Sequence, residues 1–146
     1  MITFRPIKLS MLAACLTMAF ASGYAADTKM SKEDYKAAKD KIEAEYKAGK
    51  DACKSQSGNA KDVCEKEAKA KEKVAKAELE YNNTGKESDR LKLAKTKAEQ
   101  DYAVAKERCE DKKGAEESAC KAEAKAAEKK ALADIKVEKA AEKKSG

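Results

Sequence analysis

YKAGKDACKSQSGNAKDVCEKEAKA at residues 46–70 returns as YAVAKERCEDKKGAEESACKAEAKA at residues 102–126. Tyr46, Lys50, Cys53, Gly58 and Cys64 reappear 56 positions later as Tyr102, Lys106, Cys109, Gly114 and Cys120. Over the wider windows 34–80 and 90–136, 18 of 47 positions are identical. The chain therefore carries two copies of one supersecondary unit. Within each copy the two cysteines stand either side of a glycine-containing break, with 10 residues between them. That spacing predicts a helical hairpin clasped near its turn.

Side-chain pairing supports the hairpin. Ala38, Ile42, Tyr46, Gly49 and Cys53 recur at steps of three or four, which puts them on one helix face. Cys64, Ala68, Ala75 and Leu79 likewise share one face of the next segment. In an antiparallel pair, facing positions keep a constant sum of residue numbers. Cys53 then meets Cys64, Gly49 meets Ala68, Ile42 meets Ala75 and Ala38 meets Leu79. The second copy obeys the same rule through Cys109–Cys120, Ala105–Ala124, Tyr102–Ala127, Ala98–Ala131 and Ala94–Ile135. A large residue usually faces a small one, which lets two helices approach and interlock. Tyr46 is expected against Lys71, whose aliphatic stem suits the ring. Of the three connectivities open to four cysteines, the register selects Cys53–Cys64 and Cys109–Cys120.

The expected fold is all-α: two tandem antiparallel hairpins, four helices, each hairpin clasped by a disulfide. Helices are predicted from Ser31 to Lys54, Ala60 to Tyr81, after Asn82-Asn83-Thr84-Gly85 to Asp111, and Ala115 to Lys144. Ser31 should cap the first, and Thr84 with Glu87 reads as a capping box for the third. A second apolar stripe runs through Val63, Ala70, Val74, Ala77 and Tyr81, with Leu93 and Val104 on the third helix. It serves to join the hairpins as a four-helix bundle or, in an elongated pair, to meet a partner. The domain boundaries follow as a signal at 1–25, one hairpin at 26–81 and the other at 86–144.

Residues 1–25 read as a secretory signal. Arg5 and Lys8 precede an apolar run from Met11 to Ala21, and Gly23-Tyr24-Ala25 supplies small residues for cleavage after Ala25. The run is shorter than the about 20 residues a bilayer-spanning helix needs, so no transmembrane span is expected after cleavage. Leu12-Ala13-Ala14-Cys15 offers a second fate, lipid anchoring at Cys15, although the apolar run continues beyond it. Cleavage removes Arg5 and Lys8 from the 33 basic residues, leaving 31 against 27 acidic and a net charge of +4. Four cysteines then remain, an even number suited to the oxidising conditions that exported chains meet.

Composition excludes more than it assigns. Both phenylalanines lie before residue 26, tryptophan and histidine are absent, and ten large aliphatic side chains serve the remaining 121 residues. So thin a core argues against a deep catalytic pocket, while abundant alanine, lysine and glutamate favour helix. No histidine means that the commonest general base and metal ligand are missing. Cysteines ten residues apart do not match a structural zinc site, and no cofactor loop is present, so no metal, cofactor or catalytic residue is expected. Acidic and basic residues alternate, and Arg90 and Arg108 are the only arginines beyond the signal. That pattern speaks against a nucleic-acid partner.

Two resemblances bear on the role. The Ala/Lys/Glu-rich helices are similar in composition to the long periplasmic region of TolA, without its membrane anchor or terminal partner-binding domain. More specifically, DYKAAK at 34–39, SGNAKDVC at 57–64, KVAKAELEY at 73–81 and DYAVAKERC at 101–109 resemble small bacterial exported proteins labelled TolA-like or envelope-biogenesis. The resemblance implies a periplasmic address and brings no catalytic residue. The expected role is non-enzymatic, structural or protein-binding, with envelope proteins as partners. The alternative is peripheral binding of anionic envelope surfaces through the lysine-rich helices, with weak contact of that kind possible in either case.

Overall fold

A computed structural model describes residues 29–145 as four helices: α1 (Lys32–Cys53), α2 (Gly58–Thr84), α3 (Glu87–Arg108) and α4 (Gly114–Ser145). A short 3₁₀ turn, Cys109–Asp111, follows α3, and no strand occurs among the described residues. The expected signal, its cleavage site and Cys15 lie outside the described residues.

Local chemistry sets the helix ends. Ser31 caps α1, its hydroxyl accepting from the Asp34 amide at 3.0 Å, and Glu33 and Asp34 sit in the first turn where the helix dipole favours acid. Gly58 and Gly114 open α2 and α4 with φ of 57° and 58°. Only glycine takes that left-handed backbone without a Cβ clash, so the same residue was kept at the same place in both copies. The turn between α2 and α3 differs from the expectation. Asn82 and Asn83 stay helical, and the break falls at Gly85, whose left-handed backbone (φ 61°) lets its amide bond Tyr81 at 2.8 Å. The expected capping box does not form. Thr84 ends α2 and hydrogen-bonds the Asp89 carboxylate, Lys86 is the N-cap of α3, and Glu87 turns to Arg90 instead.

The two disulfides are Cys53–Cys64 and Cys109–Cys120, with Cα atoms 5.6 and 5.7 Å apart. They fix α1 against α2 and α3 against α4 in the expected antiparallel sense. At the far end of the first hairpin, Tyr35 donates to Glu80 at 2.8 Å. At the far end of the second, Arg90 reaches Glu138 and Glu142 at 2.8 and 2.9 Å. Each hairpin is thus held covalently at its turn and by polar contacts at its open end.

The hairpins are joined side by side. Each helix packs extensively on its neighbours in the chain, α2 and α3 most of all, and no comparable packing joins α1 to α4. The result is an open layer rather than a closed bundle. The reason lies in the angle between the two apolar stripes of α2. At 100° per residue, the stripe through Cys64, Ala68, Ala75 and Leu79 lies about 140° from the stripe through Val63, Ala70, Val74, Ala77 and Tyr81. A square bundle needs neighbours near a right angle, and this wider angle sends α1 and α3 to nearly opposite sides of α2. Ion pairs Lys66–Glu107 and Glu67–Arg108 set the α2–α3 register. Ala70 and Val104 line one groove there, and Ala77 and Leu93 are buried. The second stripe therefore joins the hairpins.

Burial is sparse in such a layer. Among the described residues, Cys53, Ala68, Ala77, Leu79, Leu93, Ala98 and Cys109 form the apolar core, with Glu72 and Gln100 the buried polar side chains.

Candidate functional site

In the first hairpin α1 and α2 meet at Gly49 and Ala68. A Cβ built on Gly49 would stand 3.3 Å from Ala68 Cβ, so these two positions touch, as the register requires. Ala68 and Leu79 are buried, while Ala38, Ile42, Tyr46, Gly49 and Ala75 are half-buried along the same contact. In the second hairpin Ala98 is buried, and Ala94, Tyr102, Ala105, Ala124, Ala131 and Ile135 are half-buried. Ala127, expected opposite Tyr102, is exposed.

Lysine ammonium groups stand over both seam tyrosines. The ammonium of Lys69 lies over the Tyr46 ring at 4.8 Å, with Lys50 at 5.9 Å, and Lys71 lines one groove together with Tyr46. Lys125 lies over Tyr102 at 4.6 Å. These are cation–π distances. Lys69 also meets Glu72 at 2.7 Å, and Lys125 meets Glu128 at 2.6 Å. Tyr46, Lys69 and Glu72 thus form a chain that Tyr102, Lys125 and Glu128 repeat 56 residues later. The signal was present in the sequence as two further identities at that spacing, Lys69 with Lys125 and Glu72 with Glu128. It was masked because lysine and glutamate are everywhere, and only geometry tells which pair belongs to the seam.

Glu72 is the buried member, clamped by Lys69 and also by Lys76 at 2.7 Å. Hydrogen bonds from Lys69 first and Lys76 second hold its carboxyl below the usual range, against the opposing cost of burial. Glu72 in turn raises Lys69, and Glu128 raises Lys125. Near the second clasp, Glu117 and then Glu110 push Lys121 up to about 12. Glu80 raises Tyr35 through the hydroxyl hydrogen bond. Glu72 is thereby held ionised and the three lysines protonated, while Tyr35 is held as the neutral phenol. General acid–base catalysis requires the reverse.

A different kind of place lies between the start of α3 and the end of α4. Leu91, Leu132 and Ile135 form the floor of a groove of about 800 Å³. Lys92, Lys95, Lys136, Lys139 and Lys143 surround it. The two acids at its edge, Glu87 and Glu142, are engaged by Arg90 at 2.6 and 2.9 Å. Of the lysines, Lys95 pairs with Glu99 at 3.5 Å, and no ion pair among the described residues engages Lys92, Lys136, Lys139 or Lys143. An apolar bottom under unneutralised ammonium groups suits a molecule with a greasy body and a negative end. The groove was not read from the sequence, because Leu91, Leu132 and Ile135 look there like ordinary seam residues.

Among the described residues, no group of three histidine, cysteine, aspartate or glutamate side chains is placed to hold a metal, and no helix is long and apolar enough to cross a membrane. The two disulfides are compatible with an exported protein. No protein-family model, curated protein or solved structure matches this chain.

Proposed function

We propose that this is a non-enzymatic helical protein of the periplasm that acts by contact with other envelope components, chiefly proteins. The observation that carries this reading is the layer itself: two clasped hairpins set side by side, with α1 and α4 each packed on a single neighbouring helix. Such an arrangement spends little of its chain on a core and presents most of it outward. The covalent clasps compensate for the small apolar area and keep the display rigid where exported proteins work. The paired, charged state of Glu72 and of the shifted lysines supports binding over catalysis. The signal-like residues 1–25 and the resemblance to envelope-labelled exported proteins support the periplasmic address.

Cross-linking in living cells, followed by mass spectrometry of the captured species, tests the proposal. A specific set of envelope partners is expected, and it should shrink when all four clasp cysteines are changed to serine. Recovery of no partner above an unrelated exported control would remove the proposal's basis.

A further inference from the structure

The two hairpins diverge at their open ends. In the first, Tyr35 donates to Glu80 at 2.8 Å, and Leu79 beside it is buried. The equivalent positions 56 residues on hold Leu91, Lys136 and Ile135. Leucine has no hydroxyl and lysine accepts no hydrogen bond, so this latch cannot form in the second hairpin. Lys76 is likewise replaced by Leu132. Three exchanges at one place have turned a latched seam into an apolar groove with a basic rim.

From this we infer that the groove binds a single-chain amphipathic anion, a long-chain carboxylate, with its tail along Leu91, Leu132 and Ile135 and its head among the rim lysines. The inference deepens the reading of the protein as a binder and rests on it. Charge complementarity selects an anion, because Arg90 holds the rim acids Glu87 and Glu142 while four rim lysines have no ion pair among the described residues. An acyl chain is favoured over a peptide. A peptide brings backbone amides that need acceptors, and the only acidic side chains lining the groove are those two carboxylates. A single chain is favoured over a bilayer surface because the floor is recessed. Leu91, Leu132 and Ile135 are half-buried, whereas the exposed large apolar side chain, Val137, lies on the opposite side of α4.

The test uses the oxidised protein and the fluorescent fatty acid cis-parinaric acid, kept below its aggregation concentration. Saturable binding of one probe per chain is expected, with displacement by dodecanoate. The methyl ester of the same chain should displace at least about tenfold less effectively. The double variant Leu91→Tyr, Lys136→Glu restores the residues of the first hairpin, which that fold already accommodates. It should keep its helical signal and bind at least about tenfold more weakly, whereas Lys47→Glu on exposed α1 should stay within about twofold. Non-saturating uptake, equal binding by the double variant, equal displacement by the ester, or stronger binding to phosphatidylglycerol vesicles or to an acidic peptide would each overturn the inference. Partner capture with the same double variant separates the two ideas. If the envelope partners persist while fatty acid binding proves absent, only the groove assignment fails.

Discussion

Placing a leucine at Gly49 tests the seam where its geometry is tightest. The ideal Cβ at Gly49 already comes 3.3 Å from Ala68 Cβ, and Ala68 is only 8 % exposed. Carbon atoms prefer about 3.5–4.0 Å, so a further three carbons have no room without moving α1 away from α2. Overpacking of this kind costs about 1–3 kcal/mol. Leucine returns about 0.8 kcal/mol through its better helix propensity. The net expectation is a loss of about 0.2–2 kcal/mol, which for a domain of this size lowers the melting temperature by about 4 °C per kcal/mol. Gly49→Ala should gain less than the about 1 kcal/mol that propensity alone would give, because its methyl meets Ala68. Ala48 is exposed, one residue along the same helix, and Ala48→Leu should fall within about 0.5 kcal/mol of the parent. Urea titration followed by circular dichroism, with both disulfides intact, measures all three. Pairing Gly49→Leu with Ala68→Gly should recover part of the loss, the non-additivity expected of touching residues. If Gly49→Leu proves as stable as Ala48→Leu, the helices are not zipped at this position and the register argument collapses.

Three further outcomes follow from the same geometry. Changing Cys53 and Cys64 to serine should cost about 3 kcal/mol, and changing Cys109 and Cys120 should cost much the same, since each bond closes a loop of separation 11; urea midpoints of the two variants check this. Glu72 has a lowered pKa in the fold, so its contribution is present above the unfolded carboxylate value and is lost as pH falls below 4.5 toward the folded value. Allowing for the half-exposed lysines that clamp it, that contribution is about 1 kcal/mol, and Glu72→Gln should flatten the acid limb of a stability–pH profile by this amount. Arg90→Ala should speed amide exchange in the last turns of α4 while leaving the Cys120 end protected; it should also weaken parinarate binding by freeing Glu87 and Glu142 to neutralise the rim lysines.

Much of the fold was legible because its signals are redundant. Ser31 marks a helix start, Gly58 and Gly114 mark the breaks, and the paired positions of the two copies specify both disulfides without reference to structure. What escaped the sequence depended on distinguishing near-identical candidates. Thr84 and Glu87 have the spacing of a capping box, yet Gly85 takes the left-handed cap first, and the strong Arg90–Glu87 pair claims the glutamate. Lys71 and Lys69 both lie within a turn of the tyrosine-facing position, and it is the Lys69 ammonium that stands over the ring. Gln100 is buried without a glutamine at its repeat equivalent, Ala44, so the duplication could not announce it. The groove is the instructive case. It arises from substitutions between the copies, and a search for what repeats passes over what has changed.

The same comparison explains why the layer stops at four helices. Residues offset by 56 occupy equivalent faces, so the outer face of α4 corresponds to the face of α2 that packs on α3. There Val74 has become Lys130, Tyr81 has become Val137, and both new residues are exposed. The outer face of α1 corresponds to the face of α3 that packs on α2. Leu93 is matched by Ala37 and Val104 by Ala48, again exposed. The large side chains that weld the hairpins together are thus missing from the matched positions of α1 and reduced to Val137 on α4. Each exchange lowers the apolar area available for a further helix, and Lys130 adds the cost of desolvating a charge. These faces behave as the polar ends that repeat proteins require. They also remove the attraction that could draw α1 and α4 together, so the wide stripe angle and the depleted outer faces act in the same direction. A closed bundle would have to bury Lys130 against Ala37 and Ala48, and the open layer avoids doing so.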